Sequence, residues 1–207
     1  MAEVHQVAPR GDVKLICPNE GDEEGTFIIV SSVVLRMGSA VFEAMLGPHF
    51  KEGLTLAGGA RLELPLPEDE AASMLTMCQV MHMKAVTAAP ATSKELLGLA
   101  VLADKYDCKI ALSYPVSNWM QQPSIRESNQ DRVNLFTAAY LMGLHHDFTM
   151  LGKDIVMQSC SQAFSGSLIP DRRPQKAIAT LNKQRTRIVR QISGTHNPDR
   201  VLWSIHR

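Results

Sequence analysis

No stretch of this sequence approaches the run of about 20 apolar residues that a membrane-spanning helix needs, so no membrane partner is expected. The opening residues, MAEVHQVAPRGD, hold no apolar core of the kind a secretory signal carries. Cysteine is sparse: Cys17, Cys78, Cys108 and Cys160 lie far apart, without CxxC or any comparable metal spacing. Dispersed thiols in a chain without a leader read as reduced and mostly buried, which implies an intracellular protein of nucleus or cytoplasm. Net charge is missing too. The 21 Lys and Arg balance 21 Asp and Glu, which removes any global pull toward nucleic acid or an anionic membrane.

Catalytic signatures are equally scarce. There is no GxSxG, no GxxxxGK[ST] and no GxGxxG, so neither a nucleophile elbow nor a phosphate cradle is supported. Cys108 has no evident histidine base. His145 and His146 are adjacent and would point about 100° apart on a helix, too far to share an ion easily; no Cys or carboxylate follows at 149 or 150. They read as surface or helix-end histidines, and His82, on an apolar stripe, as a buried or half-buried core histidine. Asp104 and Asp107 flank Lys105 and Tyr106. They offer either an acid/base pair or local pairing at a helix end, and the second reading is the commoner one. No enzyme, no cofactor and no metal are expected.

What is present is an ordinary globular composition, 45% hydrophobic and 20% charged over 207 residues, enough for one moderate domain and an appendage without disulfide or metal. The charge is unevenly placed. From Asp171 to Arg207 nine Lys or Arg face only Asp171 and Asp199, a net +7, and residues 1–170 carry −7. Such a tail either docks on the body or meets an acidic partner.

Periodicity gives the order of elements. Residues 1–10, polar and broken by Pro9, read as a flexible arm. Asp12–Cys17 alternates Val13, Leu15 and Cys17 as a half-buried strand, Pro18–Gly25 is an acidic turn, and Thr26–Val30 completes a hairpin. Two short helical pieces follow, broken at Gly38, with Ser39 as N-cap of AVFEAML. Leu54–Gly59 reads as a glycine-containing loop and Arg61–Leu64 as a third strand. Glu68-Asp69-Glu70 opens a helix with acids at its positive end; its stripe holds Ala71, Leu75, Cys78 and His82, widened by Met74, Met77 and Met81. Met83 is counted with these methionines, which form a core stripe or an adaptable binding face. Thr87–Thr92 is a linker, Ser93 caps a helix through Tyr106, and Lys109–Met120 is another. Pro123 and Ser124 mark a boundary. Beyond it lie helical runs over Arg132–Leu144 and Phe148–Phe164, with Gly143 and Asp147 at the turn, and a heptad-like seam of Ile178, Leu181, Arg185, Ile188 and Ile192. The fold class is α+β, a small three-stranded sheet covered by helices.

In that order the residues resemble the BTB/POZ domain in the form common in fungal proteins. The blocks are GDVKLIC (Gly11–Cys17), VSSVVLRMGSAVFEAML (Val30–Leu46), RLELPLPEDEAASMLTMCQVMHM (Arg61–Met83) and LLGLAVLADKYDCKIAL (Leu96–Leu112), the last being the most specific. The resemblance covers a domain at 11–122, and 123–207 is similar to the helical extension that often follows in fungi. It implies a non-catalytic interaction module that self-associates, as a homodimer or hetero-oligomer, or serves as a substrate adaptor for a cullin ubiquitin ligase. Relatives that exchange an N-terminal strand carry a helix and a strand before the DVKLIC position. The ten residues with Pro9 found here argue against that exchange and leave a helix-mediated dimer open. Ser31 stands where the family usually has a histidine.

Phe50-Lys51-Glu52 falls where cullin-binding relatives carry a hydrophobic residue, any residue, then Glu. Phe50 would plug a pocket on the partner and Glu52 would fix orientation at its rim; the alternative is that Phe50 packs into its own core with Glu52 solvated. From a different class comes a nuclear regulatory protein whose basic tail contacts nucleic acid. Its isoleucines and lack of interleaved aromatics speak against that.

Overall fold

The computed structural model describes residues 3–19, 22–84, 90–158 and 183. Residues 87–89 of the linker, the end of the Phe148–Phe164 run, Cys160 and, except for Lys183, the basic segment with its Ile178–Ile192 seam lie outside the described residues. The described chain is α+β: a four-stranded mixed sheet followed by helices.

Strands β2 (Val13–Asn19) and β3 (Asp22–Val30) form the expected antiparallel hairpin, with Val13 opposite Val30, Leu15 opposite Ile28 and Cys17 opposite Thr26, but they run on through most of Pro18–Gly25, the expected turn. The alternation holds: Val13, Leu15 and Cys17 are buried, and Lys14 turns outward to Glu63 at 3.0 Å. Strand β4 (Leu62–Pro65) runs parallel to β2 and buries Leu62 and Leu64. Pro65 is tolerated because β4 is an edge.

The expected loose arm is corrected by the structure. Glu3–Gln6 forms a strand, β1, parallel to β3, so the sheet has four strands in the order β1-β3-β2-β4 rather than three. EVHQ carries no alternation that would announce a strand. Its order comes from the free edge of β3, and from Val7 and Ala8, which are buried just beyond it. The Ala8 N–H donates to the Ile29 carbonyl at 2.9 Å. Pro9 falls after this last bond, where its missing N–H costs nothing.

Helices α1 (Ser32–Gly38) and α2 (Ala40–Met45) meet at Ser39, whose Oγ accepts the Phe42 N–H at 3.0 Å, the expected cap. A third helix, α3 (Lys51–Ala57), replaces the expected glycine loop. Glycines at 53, 58 and 59 disguise it, but Gly53 is there for packing. A Cβ at that position would stand 1.8 Å from the Gly47 carbonyl oxygen, so only glycine lets α3 lie on the turn before it.

Next come α4 (Ala71–Met81), α5 (Ser93–Lys105) and α6 (Lys109–Met120). Met74, Met77, Cys78 and Met81 of α4 are buried, so these methionines are core; Met83, beyond the helix at φ 54°, is exposed. Phe42 stacks on Tyr106 with centroids 4.5 Å apart. Thr92, rather than Ser93, caps α5 by accepting the Glu95 N–H at 3.2 Å.

After a 3-10 turn at Pro123–Ile125, α7 (Asn129–Met142) packs on α5, and α8 (His145–Gln158) packs on α7. Ser93 is free to donate to Asp131 Oδ1 at 2.6 Å and to accept from Asn134 Nδ2 at 2.9 Å, which ties α5 to α7. Gly143 ends α7 at φ 69°, in the left-handed region glycine favours. Asp147 belongs to α8, not to the turn before it. Its buried carboxylate accepts from Ser117 at 2.8 Å and Gln121 at 2.7 Å of α6. One hydrophobic core runs from Val13 in the sheet to Ile155 in α8. No described helix is long and apolar enough to cross a membrane.

Candidate protein-interaction surface

Phe50 is the N-cap residue of α3, with extended backbone, and its side chain is 52% exposed. It does not fill its own core. The close seat of Gly53 on Gly47 fixes the roll of the helix and so directs Phe50 outward. Leu54, four residues on, is also exposed, and the two form an i,i+4 pair on one face. Glu52 lies in the first turn, half-buried, and no hydrogen bond or ion pair joins it to the described residues. Residues two apart do not share a helix face, so Leu54 rather than Glu52 is Phe50's neighbour.

Two further outward apolar pairs were missed in the sequence. On α6, Ile110 and Tyr114 are 94% and 83% exposed, four residues apart. The same helix buries Leu112, Val116, Trp119 and Met120 on its other side. On α1, Val33 and Met37 are likewise exposed and four apart, and Leu35 is buried. The signal was available: in each helix a second apolar spacing of four runs out of phase with the core spacing. An exposed isoleucine or tyrosine alone is unremarkable on a protein surface. A pair on one helix face is a ridge that another polypeptide can cover.

The reactive side chains are placed differently. Cys17 and Cys108 are buried, and burial pushes both thiols up to about 12; burial raises Cys78 also. All three therefore stay protonated and inert at neutral pH. Asp69, one of the acids expected to open a helix, is buried. It accepts from Tyr106 Oη at 2.5 Å and from Lys105 Nζ at 2.7 Å, pinning the chain before α4 to the end of α5. Burial first, then the bond to Asp69, raises the Tyr106 phenol. Asp104 pairs with Lys109 at 2.6 Å, and Asp107 is an exposed helix-end residue at φ 48°. These pairings support the helix-end reading of the Asp104–Asp107 segment. His145 and His146 are exposed at the start of α8. His82 is half-buried at the end of α4. Among the described residues no three His, Cys, Asp or Glu side chains are grouped to hold a metal ion.

No protein-family model and no curated protein matches the chain.

Proposed function

We propose that this chain is a protein–protein interaction module of the BTB/POZ type, fungal in form, which associates through apolar ridges on its helices. The observation that carries the reading is the Ile110–Tyr114 pair, two large apolar side chains almost wholly exposed on a helix whose other side is core. Burying both against a partner contributes about 3–5 kcal/mol from apolar area, before the cost of association. The order of elements supports the family assignment: a hairpin, three short helices, a strand returning parallel to the first of the hairpin, then helices. Pairing of β1 with β3 of its own chain supports a dimer made by helix faces rather than by exchanged strands.

Light scattering on the purified chain at tens of micromolar tests this. A dimer that becomes a monomer on Ile110→Asp, Tyr114→Asp substitution is the expected result; a monomeric native chain removes the homo-oligomeric version. The narrower role, substrate adaptor for a cullin ubiquitin ligase, draws support from the outward Phe50 and from Glu52, which has no hydrogen bond or ion pair among the described residues. Binding of a cullin N-terminal region by the native chain, lost in the Phe50→Ala, Glu52→Ala variant, is expected. No binding by the native chain ends that role.

A further inference from the structure

The start of α1 is held from outside the helix. Its N-cap residue, Ser31, provides no side-chain cap. The Ser31 N–H donates instead to His82 Nε2 at 3.0 Å, and the next residue, Ser32, donates its N–H and hydroxyl to the two oxygens of Asp12 at 2.7 and 2.6 Å. His82 reaches across from the end of α4, where its Nδ1 lies 2.8 Å from the Cys78 carbonyl. A carbonyl only accepts, so Nδ1 carries the hydrogen and Nε2 presents its lone pair to Ser31. Both ring nitrogens are used, in opposite senses, and only the neutral ring can serve both partners.

We propose that His82 is an acid-sensitive latch that fastens the start of α1 to the end of α4, closed with the neutral ring and open with the protonated one. A proton on Nε2 would set one N–H against another, and among the described residues no hydrogen bond gives Nε2 an acceptor in place of Ser31. Among the described residues the charged groups of the neighbouring elements are engaged elsewhere. Asp12, the anion at this junction, is engaged through both oxygens by Ser32. Arg36 of α1 is paired with Glu43, Lys14 of β2 with Glu63, Lys105 of α5 with Asp69, and Lys109 of α6 with Asp104. The acids of β3, Asp22 to Glu24, lie at the far end of that strand. Burial holds the imidazole below its usual range, Lys84 adds to this, and the Cys78 carbonyl opposes it.

The linkage follows. Above the unfolded value of 6.5 neither state binds the proton and the latch contributes fully. Below it the unfolded chain takes up a proton that the folded chain refuses, so stability falls with pH until the lowered folded value is reached and the native latch opens. The inference goes beyond the interaction reading and does not depend on it. Because α1 presents Val33 and Met37, the latch also governs how that ridge is set.

The test is amide hydrogen exchange and histidine-ring nitrogen spectra on the full chain, native and His82→Gln. Glutamine keeps an oxygen acceptor near the Nε2 position and has no proton to gain. Protection of the Ser31 amide, corrected for intrinsic rate, is expected to fall about tenfold between about pH 7.5 and pH 5.5 in the native chain and to stay level in the variant. The ring spectrum of native His82 should show hydrogen on Nδ1 at neutral pH and titrate below the ordinary imidazole value of 6.5. Level protection in the native chain, an equal fall in the variant, or a His82 ring that carries its hydrogen on Nε2 overturns the latch. The ring spectrum decides by itself if the variant fails to fold.

Discussion

At the scale of single residues the most consequential side chain is Asp69. Inside the triplet Glu68-Asp69-Glu70 it is indistinguishable from a solvated acid at a helix start, and its neighbours on both sides are exposed. What separates it is contact with Lys105 and Tyr106, 36 and 37 positions away. Pairing at that distance leaves no trace in local pattern, so this anchor was illegible in the sequence. Tyr106→Phe should cost about 1–2 kcal/mol, because one bond to a buried carboxylate is lost while the stack on Phe42 remains. Asp69→Ala should cost about 2 kcal/mol, since it strands the buried Tyr106 phenol, while Lys105 keeps Glu68 at 3.7 Å. Urea unfolding with fixed slope measures both. An Asp69→Ala variant as stable as the native chain would mean that the bonds to Lys105 and Tyr106 contribute no net stability.

Elements differ in how openly the sequence declares them. The β2–β3 hairpin, the Ser39 cap and helices α4 to α6 were legible because each repeats an apolar spacing over enough residues to stand out. Strand β1 has four residues and no alternation, and owes its conformation to the edge it joins. Helix α3 was hidden by the very glycine that lets it pack. Gly53→Ala should therefore cost about 2–3 kcal/mol, unusual for so small a change, because the methyl group meets a backbone oxygen that cannot step aside. Thermal unfolding would detect it, and Gly59→Ala offers no such control, since its positive φ brings a strain of its own. The capping of α7 makes a pH prediction. Burial alone would raise Asp131, but hydrogen bonds from Ser128 and Ser93 outweigh it and hold the carboxyl below its ordinary 3.8. A lowered folded value means stabilisation that is complete above the unfolded value and fades as pH drops through the folded one. Unfolding free energy measured from about pH 5 down to about pH 2 should fall less steeply in Asp131→Asn than in the native chain.

For the whole molecule the sequence announced an α+β architecture and a helical second part, and the structure has both. It also placed a boundary at Pro123 and Ser124, which break the helical run. Packing does not change there. Leu97, Ala100 and Leu102 of α5 and Leu135, Phe136 and Ala139 of α7 belong to the same buried cluster. A chain ended after Gln122 is accordingly expected to bind a hydrophobic dye and to lose its cooperative unfolding transition; a sharp transition in that fragment would show that the first part stands alone.

Ser93 touches both Asp131 and Asn134, and Asp147 touches both Ser117 and Gln121. Two bolts, one from α5 to α7 and one from α6 to α8, thus bind the earlier helices to the later ones. Parts joined this way are inherited together: exchanging either half for that of another protein would leave a serine or an aspartate facing a stranger, so variation in this lineage should accumulate on the outward ridges and spare the join.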